Sequence, residues 1–159
     1  MNQKTLAALL KAVLAGACIC GAVIYFAVIP AWGHQLAYSS PELNKYFLPW
    51  LVLSWVTAVP CFWALGCAWK VAVQIGRDNS FSYENAAGIR RIGMLAATDG
   101  AIVFAGNVLF AFLNINHPGV FILSVIIVFI GCAVAVACFT LSYLVYKAAL
   151  MRDEQNLTV

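Results

Sequence analysis

Four long apolar stretches make up most of this 159-residue chain and limit what it can fold into. Residues 12–29, 46–69 and 118–146 contain no Asp, Glu, Lys or Arg, and residues 92–113 contain only Asp99. A helix needs about 20 mostly apolar residues to cross the hydrocarbon core of a bilayer, and each stretch is of that order. The sequence therefore predicts an all-α polytopic membrane protein, a bundle of four transmembrane helices.

Composition leaves no room for a separate soluble domain. The chain is 64% hydrophobic and 9% charged, whereas a soluble domain carries about 25% charged residues. We expect one domain, residues 1–159, with a cytoplasmic loop at 70–91 and a cytoplasmic tail at 147–159. Its four spans are predicted at about 8–29, 46–69, 92–113 and 119–146.

The basic residues predict the orientation of these spans. Only Lys45, of nine Lys and Arg residues, lies in the connections that would face outward. Positive charge marks the cytoplasmic side of a membrane, so both termini should be cytoplasmic. The eight residues on that side are Lys4, Lys11, Lys70, Arg77, Arg90, Arg91, Lys147 and Arg152.

The two outer connections differ in length. Residues 30–45 contain Pro30, Gly33 and Pro41, all helix breakers, and are expected to form a loop. Residues 114–119 are short and polar, which should make spans three and four antiparallel neighbours.

Small residues recur every four positions in two spans, and such a stripe lets two helix backbones approach closely. We expect both stripes to pack within the bundle, and a homodimer formed through one of them is the alternative. The stripes are Ala8, Ala12, Gly16 and Cys20 in span one, and Gly93, Ala97, Ala101 and Ala105 in span three.

Asp99 is the most costly residue to place in a membrane. Intramembrane carboxylates usually face a partner or a water-filled cavity, and Asn107 follows on roughly the same side of the helix. A functional interpretation is a proton or cation site. A structural interpretation is a protonated or hydrogen-bonded side chain that fixes helix packing. We favour the second, because a single carboxylate makes a poor relay.

The chain offers no residue set for catalysis or for holding a metal or cofactor. His34 and His117 are its two histidines, and a zinc site needs three or four ligands. The six cysteines lie within spans and are not spaced as C-x-x-C, so we expect free thiols. No phosphate-binding loop or catalytic triad is present. We expect no enzymatic activity, and no direct nucleic-acid binding, because the basic residues flank membrane spans.

The 70–91 connection is longer than the roughly 2–8 residues that neighbouring helices need. Ser82 is a good N-cap, and Glu84 would lie in the first turn, so a helix should run from about Tyr83 into span three. We predict a cytoplasmic docking surface here, and the alternative is that Phe81 and Tyr83 lie in the headgroups while the tail packs on Arg90 and Arg91. The predicted docking residues are Phe81, Tyr83, Glu84, Asn85, Arg90 and Arg91, with Leu157 and Val159 of the tail.

Three short motifs carry a family resemblance. Residues 81–85 read Phe-Ser-x-Glu-Asn, residues 89–93 read Ile-Arg-Arg-Ile-Gly, and residues 154–159 read Glu-x-Asn-Leu-Thr-Val. With the four-span layout, they resemble the bacterial membrane-protein family called domain of unknown function 2975, over nearly the whole chain. The resemblance implies a multi-pass protein of the bacterial cytoplasmic (inner) membrane. That family usually has an acidic residue where this chain has Gln155 and Asn156, so the charge of the tail is not carried over.

The resemblance also implies a partner, because members of that family commonly lie beside small helix-turn-helix regulators of the Cro/repressor type. The leading hypothesis is a non-enzymatic integral membrane protein whose cytoplasmic surface binds such a regulator. One alternative is a small transporter or ion-coupled carrier that uses Asp99 and Asn107. Another is an accessory subunit of a larger membrane complex.

Overall fold

The computed structural model describes residues 2–39, 41–115 and 118–157, and these are helical almost throughout. Four helical stretches in them are long and apolar enough to cross a membrane: Gln3–Gln35, Phe47–Gly76, Tyr83–Phe112 and Gly119–Gln155. The predicted all-α, four-span architecture is confirmed. The elements are α1 (Gln3–Val23), a π-helical segment (Ile24–Val28), α2 (Ile29–Ser39), α3 (Pro41–Gly76), α4 (Tyr83–Phe112) and α5 (Pro118–Leu157).

The helices extend further than the apolar stretches, and the predicted outer loop at 30–45 is wrong. Pro30 lies in the first turn of α2, directly after the π-helical segment, and Pro41 begins α3. A proline that begins a helix, such as Pro41, is tolerated because the N–H it lacks has no intrahelical partner there. Pro30 instead lies inside the continuous helical stretch Gln3–Gln35, where prolines and π-helical segments commonly bend a helix. Gly33 permits a close contact, because a Cβ on it would clash with the ring of Phe47.

Helices α4 and α5 pack along a seam of mostly small residues. Their inward positions alternate three and four residues apart, the period of 3.5 that keeps two helices in contact along their length. A Cβ on Gly93 would lie only 3.0 Å from the Cβ of Cys138, and the Ser142 hydroxyl donates to the Ala86 carbonyl oxygen at 2.7 Å. The residues that make this contact are Ala86, Ile89, Gly93, Ala96 and Gly100 on α4 and Val128, Gly131, Ala135, Cys138, Ser142 and Val145 on α5. The same spacing continues in the buried or half-buried positions Val103, Asn107 and Phe110 on α4 and Ser124 and Ala149 on α5.

The two predicted small-residue stripes are not this seam. Ala97, Ala101 and Ala105 are exposed, and only Gly93 of that stripe faces α5. The stripe on α1 is also exposed, and a Cβ on Gly16 would meet nothing within 4 Å. A spacing of four residues drifts about 40° around a helix at each step, so such a stripe leaves the contact face. The intramolecular prediction is wrong for these positions, and the homodimer stays a prediction.

Neighbouring helices pack in chain order. In the described residues α1 packs on α3, α3 on α4, and α4 on α5, whereas α1 makes no close backbone contact with α4 or α5. Ala7 and Gly21 are two of the α1 residues that approach α3: a Cβ on Gly76 would lie 3.1 Å from the Cβ of Ala7, and one on Gly21 would lie 3.6 Å from the ring of Phe62. Helices α1 and α5 therefore lie at the two ends of this arrangement, and the space between them is bordered by α3 and α4.

Orientation in the membrane stays a prediction of the charge distribution, and it has a direct test. Reporter domains that are active on one side only should give opposite results when fused after Val159 and when inserted within residues 114–119. The Lys and Arg asymmetry places the first point in the cytoplasm and the second outside. Equal activity at both points, with both fusions inserted in the membrane, would contradict the predicted topology.

Candidate functional site

The turn between α3 and α4 is shorter and more ordered than the predicted loop. Helix α3 continues to Gly76, so only residues 77–82 are non-helical. Asp78 adopts a left-handed conformation with φ of 62°, and the Asn79 N–H donates to the Gln74 carbonyl oxygen at 3.1 Å. The predicted cap is confirmed, because Ser82 is the N-cap and its hydroxyl oxygen accepts from the backbone N–H of Asn85.

Asn85 holds this turn in place. Its side chain is 2% exposed, and Nδ2 donates to the carbonyl oxygens of Asn79 at 2.9 Å and Ser80 at 3.0 Å. Both bonds join the first turn of α4 to the chain before it. Its place among the docking residues is therefore corrected, since a buried amide with these bonds is not available to a partner. Asn85 acts on the docking surface indirectly, by fixing the conformation of the turn.

Glu84 and Arg91 face α3. The Gln74 Nε2 donates to Glu84 Oε2 at 2.7 Å, which joins the end of α3 to the start of α4. Both Glu84 and Arg91 line a groove of about 430 Å³ between these helices, with Lys70 on the opposite wall. Helices α3 and α4 approach each other closely beside this groove, as the glycine at position 88 shows: a Cβ on Gly88 would lie 2.9 Å from Val71 Cγ2.

Tyr83 joins α4 to the far end of α5. Its hydroxyl donates to Asp153 Oδ2 at 3.0 Å, and its ring meets Tyr146 edge to face with centroids 5.4 Å apart.

Helix α5 has 40 residues and is therefore about 60 Å long, twice the hydrocarbon thickness. The tail continues as helix to Leu157, so it does not fold back on Arg90 and Arg91. Val159 lies outside the described residues.

Two further predicted docking residues, Phe81 and Arg90, lie near Tyr83 in the chain. Phe81 is 56% exposed in the turn, and Arg90 lines a groove of about 700 Å³ between α4 and α5. Helix α5 contributes Tyr143 and Tyr146 to this groove; sequence reasoning assigned them to an aromatic belt at the inner membrane face rather than to docking. We call this the inner-end surface and define it as Phe81, Tyr83, Arg90, Tyr143 and Tyr146.

A second candidate site lies within the membrane around Asp99. The carboxylate faces a cavity of about 360 Å³ whose other lining is mostly apolar. Its Oδ1 atom is buried and has no hydrogen-bond partner in the described part of the chain. Both α1 and α5 contribute to the walls. The lining residues are Ala17, Gly21, Tyr25, Pro60, Cys61, Phe62, Ala64, Leu65, Ala68, Ile92, Leu95, Ala96, Asp99, Gly131 and Val134.

Asn107 does not belong to this cavity. It is buried elsewhere along α4, where its Nδ2 donates to the Val103 carbonyl oxygen at 3.0 Å. Asn107 follows Asp99 by eight positions, which correspond to about 12 Å along the axis and about 80° around it. The structure therefore separates the two polar residues that the carrier hypothesis grouped together.

Two of the surrounding helices are irregular at the cavity. The π-helical segment contains Tyr25, and Pro60 lies inside α3 without an N–H to continue the hydrogen-bond ladder. Single-turn π-helical segments recur at functional sites, and a proline inside a helix is a common cause of a kink. Tyr25 and Cys61 line the cavity together with Pro60. Sequence reasoning missed this grouping, although Pro60 inside an apolar span was its available signal.

The histidines and acidic residues form no metal centre in the described ranges, where no group of three or more His, Cys, Asp or Glu residues comes together. His34 instead packs its ring on Phe47, with centroids 4.6 Å apart. His117 lies outside the described residues.

Comparison with known proteins places these features in a family. A family model described as "Protein of unknown function (DUF2975)" matches residues 31–159, which hold α3, α4, α5, the inner-end surface and Asp99. The uncharacterized membrane protein YoaS of Bacillus subtilis (strain 168) is 28% identical over 131 residues, 79% of this chain and 82% of that protein. No solved structure matches.

Proposed function

Since this chain belongs to the DUF2975 family, whose members include membrane proteins, we propose that it is a non-enzymatic protein of the bacterial cytoplasmic membrane that holds a small regulator there. The regulator is a cytoplasmic helix-turn-helix protein of the Cro type, the partner that the family resemblance implies. It docks on the inner-end surface. The proposal depends on the cytoplasmic placement of this surface that the basic residues predict.

The observation that carries the proposal is the Tyr83–Asp153 hydrogen bond. It fixes an extended helix end against the start of a second helix, beside a turn that Asn85 already holds. Connecting two membrane spans requires none of this order. A surface that is ordered before binding loses less entropy when a partner docks, so these bonds favour a binding role.

The composition of the surface supports the same role. Phe81 and Arg90 are exposed, and Tyr143 and Tyr146 line the adjoining groove. Tyrosine and arginine are enriched among the residues that dominate binding energy at protein interfaces. Aromatic residues also favour the membrane interface, so lipid headgroups are the competing occupant of this surface, and the experiment must separate the two.

The test measures where a fluorescently tagged Cro-type regulator from the same genome lies when it is co-expressed with this protein. We expect retention at the membrane, and we expect Phe81→Ala combined with Arg90→Ala to reduce the retained fraction at least tenfold. Removing two exposed binding residues would cost about 1.4 kcal/mol or more. The matched control is Phe112→Ala, because Phe112 is 82% exposed at the opposite end of α4.

Equal retention by the wild type and the double variant, at equal membrane levels, would contradict docking at the inner-end surface. Release of the regulator by Phe112→Ala as well would show that the loss is not local. A double variant that fails to insert in the membrane would instead assign the surface to the lipid headgroups.

A second candidate function is a small transporter or ion-coupled carrier that uses Asp99. The observation that favours it is the buried, unpartnered Asp99 Oδ1 atom in an apolar cavity. Asn107 has no part in it, because it lies outside the cavity lining. What such a cavity would bind can be argued from its chemistry.

A further inference from the structure

The cavity around Asp99 has the dimensions of a small-molecule site. Its volume is about 360 Å³, at the lower end of the roughly 300–1,000 Å³ of ligand pockets. Residues of α3 and α4 supply most of the lining, and α1 and α5 supply the rest. Helices α1 and α5 make no close backbone contact with each other. The cavity is therefore open between two helices, toward the bilayer.

The charged and titratable groups of this lining are few. Asp99 comes from α4, Tyr25 from the π-helical segment and Cys61 from α3, while α5 contributes only Gly131 and Val134. Among the described residues, no Lys or Arg lines the cavity. An ionised carboxylate in apolar surroundings is strongly disfavoured unless a positive charge accompanies it. Within the described residues, the protein supplies no such charge to Asp99.

We propose that this cavity binds a monovalent organic cation with an apolar body, an amine or a quaternary ammonium, with Asp99 as its counter-ion. The apolar walls remove the body of the ligand from water. The rings of Tyr25 and Phe62 line the cavity with their centroids 6.1 Å apart, and an aromatic ring attracts a cation placed over its face. The proposal is independent of regulator docking.

The same lining excludes a metal ion as the occupant. Calcium requires about six to eight oxygen ligands, and magnesium requires near-octahedral oxygen coordination. Asp99 and the Tyr25 hydroxyl are the polar oxygen-bearing side chains among the lining residues. One carboxylate suffices to pair a diffuse organic cation but not to replace the water shell of a small divalent ion.

The probe for the test is phenyltrimethylammonium, and its neutral counterpart of the same shape is tert-butylbenzene. Isothermal titration into the detergent-solubilised full-length protein should show binding of the cation and at least tenfold weaker binding of the neutral compound. Asp99→Asn keeps the shape of the side chain and removes its charge. It should reduce affinity for the cation at least tenfold and leave affinity for tert-butylbenzene unchanged.

A second pair of variants tests the location without touching the carboxylate. Ala64→Phe places a ring in the cavity and should abolish binding of the cation. Ala101→Phe adds the same ring at an exposed position of α4 outside the lining, and it should bind as the wild type does. Thermal unfolding without probe, compared across all variants, identifies any that fail to fold.

Equal affinity for the two compounds would overturn the proposal. So would full binding by Asp99→Asn or by Ala64→Phe. If Asp99→Asn does not fold, two comparisons still decide the outcome. One is the affinity of the wild type for the two compounds, and the other is cation binding by Ala64→Phe against Ala101→Phe.

Discussion

Gly93→Leu should destabilise this protein by about 3 kcal/mol or more, because the added side chain cannot be accommodated where α4 meets α5. Its Cβ would lie 3.0 Å from the Cβ of Cys138 and 3.2 Å from the backbone carbonyl oxygen of Ala135. A side chain can move aside, but a helix backbone moves only by separating the two helices. The measurement is the free energy of unfolding in mixed micelles.

The matched control for this prediction is Gly16→Leu. It replaces a glycine in another spanning helix at a position where a Cβ meets nothing within 4 Å. We expect its stability to remain within about 0.5 kcal/mol of the wild type, as for an exposed substitution. A similar loss in both variants would show that leucine is poorly tolerated in these helices generally and would remove the special role of the α4–α5 seam.

The second large effect is expected at the inner turn. Asn85→Ala removes two buried hydrogen bonds to the carbonyl oxygens of Asn79 and Ser80. Leaving buried acceptors unsatisfied costs about 1–3 kcal/mol, so we expect a loss near 2 kcal/mol. We also expect faster hydrogen exchange confined to residues 77–85, because these bonds hold the turn to α4.

Asn2→Ala is the control for the inner turn, because Asn2 is the N-cap of α1 and makes no side-chain cap hydrogen bond. It should leave both stability and hydrogen exchange at the turn unchanged. Unchanged exchange at residues 77–85 in Asn85→Ala would contradict the organising role of this side chain. A loss of regulator retention in Asn85→Ala, with the exposed residues intact, would further link the turn to docking.

The number and type of spanning helices could be predicted from the sequence, because each apolar stretch is long enough to cross a bilayer. The start of α4 could also be predicted, since Ser82 and Glu84 act on the residues beside them. The connection between α4 and α5 was also predicted closely, since the predicted bounds of 113 and 119 compare with Phe112 and Pro118. The C-terminal ends of α3 and α5 could not be predicted. Helices α3 and α5 continue past Trp69 and Tyr146 to Gly76 and Leu157, because leaving the bilayer does not break a helix's own hydrogen bonds.

The candidate sites were likewise predictable from the sequence only in part. Asp99 stands out in the sequence because a carboxylate in an apolar span is costly. Its neighbours Tyr25 and Cys61 come from other helices, and only the packing brings them together. The grouping with Asn107 failed because eight residues turn a side chain about 80° away. The assignment of Asn85 failed because burial depends on how the turn folds over it.

Helix α5 is continuous from the intramembrane cavity to the inner-end surface, so a tilt of this helix at the cavity would displace its other end. Gly131 lines the intramembrane cavity and Asp153 bonds Tyr83 at the inner end. Asp153 follows Gly131 by 22 positions in the same helix, a distance of about 33 Å along its axis. A tilt of about 5° pivoting at Gly131 would swing Asp153 by about 3 Å, the length of the bond it makes. A small angular change deep in the bilayer would thus be magnified into the making or breaking of one contact outside it.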